Sequence, residues 1–138
     1  MTIVVDTNFL FALKAEKDKN RFRAIEILKD INIKKEDVIT NYLVISEIFT
    51  LAISRSLGDK SLMTKIHDLI FGDESFLKIY SFSMDDYQMI YEILIKYCTP
   101  KRLLSYVDAS LIYLYEKKKA NYVLSFDSHF DNITNRLF

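Results

Sequence analysis

Short apolar segments that suit β-strands alternate with segments of helical spacing along the chain. The strand-like segments are residues 2–5, 37–40, 76–82, 122–125 and 136–138. The helical segments are residues 9–14, 22–28, 42–55, 59–71, 84–97 and 105–118. Because parallel strands need crossover connections, this order predicts an α/β fold with three layers: a short, mostly parallel sheet flanked by helices.

The composition fits one domain without flexible linkers. Half of the 138 residues are apolar, and only two glycines and one proline interrupt the chain. A chain of this length buries enough surface for one core, and so few breakers allow only short turns. We therefore expect a single domain over residues 1–138.

Charge and targeting signals narrow the function only weakly. The 19 basic and 19 acidic side chains cancel, so a nucleic-acid surface has to be a local patch. Basic clusters at 14–23, 101–102 and 117–119 also fit solvated helix faces. The absence of a long apolar run or a signal peptide predicts a cytoplasmic protein. The single cysteine, Cys98, is interpreted as a reduced structural residue.

Several acidic residues stand where a charge needs a partner. Asp6 directly follows the first buried strand, and Glu47 projects from the apolar stripe of a helix. Asp108 also faces inward from its helix, while Asp127 follows the fourth strand and Asp131 comes four residues later. Each except Glu47 has a structural alternative, since Asp6, Asp127 and Asp131 can cap turns or helices and Asp108 fits a capping box.

The predicted topology brings these acids together. Asp6 and Asp127 end strands, whereas Glu47 and Asp108 lie in early turns of helices, and all four positions meet at the carboxyl edge of a parallel sheet. Carboxylates suit Mg²⁺ or Mn²⁺ as the counter-charge. Zinc favours His and Cys ligands, but His67, His129 and Cys98 stand at unrelated spacings, which argues against zinc. Each histidine is interpreted as an ordinary surface or turn residue. Clustered like charges also predict a raised pKa for at least one acid.

Four short segments carry these acids: Asp6-Thr7-Asn8, Ser46-Glu47, Val107-Asp108-Ala109 and Leu124-Ser125-Phe126-Asp127-Ser128-His129-Phe130. Together they resemble the PIN-domain family, and in particular the VapC-like toxins, over essentially the whole chain. The resemblance implies that Asp6, Glu47, Asp108 and Asp127 are catalytic and hold one or two divalent ions. It also implies that Thr7 and Asn8 support the first acid, while Asp131 shares or replaces the role of Asp127.

The resemblance further implies an activity and partners. The activity is hydrolysis of RNA phosphodiester bonds by a water that Mg²⁺ or Mn²⁺ activates. The partners are the RNA substrate, a second copy in a homodimer and a small antitoxin protein that blocks the active site. These expectations describe the toxin of a toxin–antitoxin pair.

Other interpretations stay open or fit less well. A phosphoacceptor receiver domain is disfavoured because no aspartate ends the third strand. A haloacid-dehalogenase-like phosphatase needs a second aspartate two residues after Asp6, where Asn8 stands. Within the PIN fold, a binding module for RNA or protein without strong catalysis and an RNA-processing nuclease without an antitoxin remain alternatives. The sequence does not identify the RNA.

Overall fold

The computed structural model describes residues 1–138 as one sheet with flanking helices. The strands are β1 (Thr2–Val5), β2 (Asp37–Asn41), β3 (Leu77–Tyr80), β4 (Tyr122–Leu124) and β5 (Arg136–Leu137). The helices are α1 (Thr7–Lys14), α2 (Arg21–Asp30), α3 (Tyr42–Ser56), α4 (Lys60–Phe71), α5 (Met84–Tyr97) and α6 (Tyr106–Lys117). Every predicted strand and helix is present, and no end differs by more than two residues. Two short 3-10 turns, Ile33–Lys35 and Ser128–Phe130, complete the elements.

The sheet is entirely parallel, with the strand order β3-β2-β1-β4-β5. Helices α1 to α4 contact one another, and α5 contacts α6. With this strand order, the usual right-handed crossover puts the first group on one face of the sheet and the second on the other. The direction of winding changes at β1, which lies between β2 and β4. The carboxyl ends of β1 and β4 therefore flank the crevice where such sheets bind ligands.

The central strand β1 explains why the first acid is buried. Ile3, Val4 and Val5 are fully buried, as expected for a strand that is covered on both faces. α1 follows immediately, and Phe9 and Leu10 are fully buried as well. The turn between β1 and α1 therefore lies inside the molecule rather than at its surface.

A buried amide links the starts of α3 and α6. The Asn41 side-chain oxygen accepts hydrogen bonds from the N–H groups of Leu43 (2.9 Å) and Val44 (3.3 Å) and so caps α3. Its Nδ2 donates to the hydroxyl of Ser110 on α6 (3.1 Å). These bonds hold the two acid-bearing helices in a fixed relation.

Part of the basic cluster at 117–119 has a structural role. Lys117 donates to the carboxylate of Asp86 (3.1 Å), which also accepts a hydrogen bond from the Tyr113 hydroxyl. The Tyr113 hydroxyl and the N–H of Ser83 hold the pKa of Asp86 well below its usual range. This network ties α5 to α6.

None of the helices has both the length and the apolarity needed to cross a membrane.

Candidate active site

Asp6 is the most deeply buried acid of the site. Its side chain accepts hydrogen bonds from the Thr7 N–H (2.7 Å) and the Ser125 hydroxyl (2.7 Å). No basic side chain pairs with it. Burial, with a smaller contribution from the charges of Asp108 and Glu47, raises the pKa of Asp6 to about 7. The expected raised pKa is confirmed here, although burial contributes more than the like charges.

Ser125 connects the ends of β1 and β4. Its hydroxyl donates to Asp6 and accepts hydrogen bonds from the N–H of Asp127 (3.0 Å) and from Nδ2 of Asn8 (3.3 Å). Asn8 also accepts a hydrogen bond from the N–H of Phe126 (3.0 Å). Asn8 therefore supports the first acid by holding the chain after β4, and Ser125 supports it directly.

Asp108 and Glu47 reach the same region from opposite faces of the sheet. Asp108 is buried and completes a capping box, since its side chain accepts the Ser105 N–H (3.0 Å) and its N–H donates to the Ser105 hydroxyl (3.0 Å). Burial, and then the charge of Asp127, raises the pKa of Asp108. Glu47 is half-buried and makes no hydrogen bond or ion pair with the protein, although its charge acts on Asp6. Both predicted roles of Asp108, as a cap and as part of an acidic cluster, are compatible.

Asp127 and His129 lie beside Asp108. Asp127 accepts the N–H of His129 (2.9 Å) and so begins the 3-10 turn. The Nδ1 atom of His129 lies 3.3 Å from Oδ2 of Asp127 and 3.5 Å from Oδ2 of Asp108. Potential ligand atoms from these three side chains lie within 4.8 Å of one another. The turn position of His129 agrees with the prediction, but its place in the acidic cluster was not predicted.

Asp131 has a different environment. Its carboxylate pairs with Arg136 at 2.6 and 3.2 Å, and its carbonyl oxygen accepts a hydrogen bond from Arg102 (2.9 Å). Arg136 holds the pKa of Asp131 below its ordinary value. This carboxylate therefore already has a cationic partner, unlike those of Asp6 and Glu47.

The residues present fit a divalent ion. Asp108, Asp127 and His129 form the group whose potential ligand atoms lie within 4.8 Å of one another. Asp6 and Glu47 lie outside that group, although the charges of Asp108 and Glu47 act on Asp6. No lysine or arginine forms an ion pair with any of these five side chains. Two buried polar atoms, Oγ1 of Thr7 and Nδ1 of His129, have no hydrogen-bond partner. Since buried polar atoms are normally satisfied, these two atoms indicate a site that takes a further ligand. Two surface cavities, of about 600 and 510 Å³, contain none of the four acids in their walls.

Comparison with known sequences identifies the family. A profile of the PIN domain matches residues 3–135. The chain belongs to the PIN-domain family. The family and the α/β fold class expected from the sequence are thus confirmed. A search of curated proteins finds no significant match.

The PIN fold is shared with several solved structures. VapC20 of Mycobacterium tuberculosis, a toxin that cleaves the sarcin-ricin loop, aligns with a TM-score of 0.78 and 23% identity over 93% of this chain and 92% of that chain. VapBC2 of Rickettsia felis was solved with a DNA fragment from its promoter. It aligns with a TM-score of 0.69 and 14% identity over 99% of this chain and 98% of that chain. FitAcB of Neisseria gonorrhoeae aligns with a TM-score of 0.62 and 14% identity over 99% of this chain and 96% of that chain. At these identities the likeness shows the fold, and together with the family match it supports a nuclease in general terms.

Two residues that contact the acids were not among the predicted site residues. Ser125 directly follows β4 and is fully buried. Its position as a hydroxyl residue at the end of the predicted strand 122–125 was the only sequence signal for it. His129 stands two positions after Asp127, the spacing at which an aspartate side chain accepts a backbone N–H in a tight turn. Both lie within the segment that carries the resemblance, but their side-chain partners come from distant parts of the chain: Asp6 and Asn8 at the start of α1, and Asp108 on α6.

Proposed function

We propose that this PIN domain is a metal-dependent ribonuclease that hydrolyses RNA phosphodiester bonds and is the toxin of a toxin–antitoxin pair. The observation that carries the proposal is the buried carboxylate of Asp6. It has no cationic partner, and the charges of Asp108 and Glu47 act on it. A protein does not maintain such an uncompensated acidic cluster for stability, since burying carboxylates together costs free energy.

The proposed roles follow from these contacts. Asp6, Glu47, Asp108 and Asp127 would hold Mg²⁺ or Mn²⁺, for which oxygen ligands are suited. The chemistry that such an ion supplies is activation of water and stabilisation of negative charge on the phosphate. Ser125 fixes the Asp6 carboxylate through its 2.7 Å hydrogen bond. Thr7 donates its N–H to the same carboxylate.

The proposed partners come from the family and not from contacts in the chain. VapC20 is a toxin that acts on the sarcin-ricin loop, and this chain shares its fold. We extend the toxin role to this chain, with a small antitoxin protein, a homodimer and a cytoplasmic location as parts of the same proposal. The proposal does not specify which RNA is cleaved.

Removal of metal tests the proposal. Labelled structured RNAs, among them tRNA and rRNA fragments, are incubated with the protein in Mg²⁺, in Mn²⁺ or in EDTA. We expect cleavage with either ion and at least about a 10³-fold slower rate in EDTA, because the ion supplies several kcal/mol of transition-state stabilisation. RNA binding without cleavage in any metal would favour a binding module, and cleavage in EDTA would contradict the metal mechanism.

The identity of the fourth acid is testable with two matched variants. Asp127→Asn is expected to lower the cleavage rate by at least about 10-fold, because Asp127 lies with Asp108 in the group of ligand atoms. Asp131→Asn is expected to change the rate less than about 3-fold and to act on stability instead, since Asp131 pairs with Arg136. Initial rates at saturating Mn²⁺ and unfolding curves are measured for both. The reverse order of rates would assign the fourth position to Asp131.

A further inference from the structure

We propose that His129 contributes Nδ1 as a nitrogen ligand beside Asp108 and Asp127, and that this ligand makes the site favour Mn²⁺ over Mg²⁺. The inference rests on the proposed metal site and goes beyond it, because the donors expected at that site are carboxylates. It concerns the selectivity of this chain for one ion over another.

The geometry matches the spacing of ligands around one ion. Ligand atoms about 2.1 Å from an ion lie about 3.0–3.4 Å apart at octahedral or tetrahedral angles. Nδ1 of His129 lies 3.3 Å from Oδ2 of Asp127 and 3.5 Å from Oδ2 of Asp108. The three side chains come from two places in the chain, α6 and the turn after β4, so their convergence depends on the fold and not on local spacing.

The imidazole is held in position by its own backbone. The N–H of His129 donates to Oδ1 of Asp127, and the following residue, Phe130, is fully buried in the core. The His129 side chain is 38% exposed as a whole, but its Nδ1 atom is buried and makes no hydrogen bond. The buried nitrogen thus lies at ion-pair distance from two carboxylates, whose oxygens are 3.3 and 3.5 Å away, and the imidazole acts to lower the pKa of Asp108.

The ligand type determines the selectivity. Mg²⁺ is a hard ion that binds oxygen ligands and keeps several waters. Mn²⁺ is the weakest binder of the first-row transition ions and also accepts oxygen ligands, but as a softer ion than Mg²⁺ it loses less affinity when an imidazole nitrogen replaces an oxygen. A site of oxygen ligands alone would bind both ions through similar contacts. Replacing one oxygen ligand with the imidazole therefore raises the affinity for Mn²⁺ relative to Mg²⁺.

The competing explanation is that His129 is a cation that bridges the two carboxylates. The two explanations predict opposite effects on metal binding. A bridging cation repels the ion, so its removal would leave Mn²⁺ binding unchanged or make it tighter. A nitrogen ligand attracts the ion, so its removal weakens Mn²⁺ binding.

The experiment measures metal binding directly, without RNA. Metal-free protein is titrated with MnCl₂ and with MgCl₂ by calorimetry at one pH, for the wild type, His129→Gln and His129→Ala. His67→Gln serves as the matched control, since His67 is an exposed histidine on α4. Circular dichroism establishes that each variant is folded, and pulsed electron paramagnetic resonance of bound Mn²⁺ reports whether an imidazole nitrogen is coordinated.

We expect both His129 variants to weaken Mn²⁺ binding by at least about 10-fold and Mg²⁺ binding by less than about 3-fold, with no change in the control. The nitrogen signal of bound Mn²⁺ is expected in the wild type and in His67→Gln and is lost in the His129 variants. Unchanged or tighter Mn²⁺ binding by the variants, or a wild type without the nitrogen signal, would overturn this inference alone. A wild type that binds neither ion would overturn the proposed metal site as well.

Discussion

Replacing Asp6 by Asn is expected to lower the rate of metal-dependent RNA cleavage by at least about 10³-fold, and Asp108→Asn is expected to have an effect of the same order. Asn has nearly the same size, and its side-chain oxygen still accepts the Thr7 N–H that caps α1. The change therefore removes the negative charge and leaves the local structure in place. Because the charge is what attracts a divalent ion, both metal binding and cleavage are lost together.

The measurement compares initial cleavage rates at several Mn²⁺ concentrations. Asp73→Asn is the matched control, because Asp73 is an exposed acid outside the site. If higher Mn²⁺ restores the rate of Asp6→Asn, the acid acts mainly in metal affinity; if it does not, the acid also orients the ion for reaction. A variant that cleaves at the wild-type rate in limiting Mn²⁺ would contradict the assignment of Asp6.

The sequence predicted the positions of the acids best where the local apolar pattern around an acid also determines its place in the fold. Ile3, Val4 and Val5 form a short apolar run that suits a strand covered on both faces, and an acid directly after such a run has to lie at its buried carboxyl end. The same reasoning placed Asp127 after β4. For Glu47 and Asp108, helical spacing relative to apolar neighbours was sufficient to predict an inward direction.

The parts that were not predicted depend on contacts between distant segments. Ser125 and Asp6 are 119 positions apart, and only the pairing of β1 with β4 brings the hydroxyl to the carboxylate. The choice between Asp127 and Asp131 depends on Arg136, which reaches Asp131 through the position of β5. The sequence predicted Asp127 as the fourth acid and left open that Asp131 shares or replaces its role. The like charges predicted at the site are present, but the depth of the β1–α1 turn decides how strongly the pKa of Asp6 is raised.

In the metal-free protein, the same Asp6→Asn change is expected to raise the free energy of unfolding, and the gain is expected to grow with pH. The pKa of Asp6 is about 7 in the folded protein against a reference value of 3.8. Between these values the folded state retains a proton that the unfolded state has released, so wild-type stability falls as pH rises from about 4 to 7. Asn does not titrate and avoids this loss.

The size of the gain follows from the same linkage. The full shift corresponds to about 4 kcal/mol above pH 7, and the part that develops between pH 5 and 8 is about 2–3 kcal/mol as an upper value. The amide satisfies the Ser125 hydroxyl and the Thr7 N–H less well than a carboxylate does, so we expect a net gain of roughly 1–3 kcal/mol at pH 8 and less at pH 5. Urea unfolding in EDTA at both pH values, with Asp73→Asn as the control, measures the difference. An equal gain at pH 5 and pH 8 would contradict the raised pKa.

Metal should reverse the order of stability. An ion that binds only the folded wild type adds about 2.7 kcal/mol at 100 times its dissociation constant, whereas Asp6→Asn gains little because it binds the ion weakly. At pH 8 the wild type is therefore expected to be the less stable protein in EDTA and to equal or exceed Asp6→Asn in saturating Mn²⁺. Such a reversal follows only if the unfavourable burial of Asp6 in the metal-free protein is compensated by the ion, so it separates a metal site from a carboxylate that is merely buried.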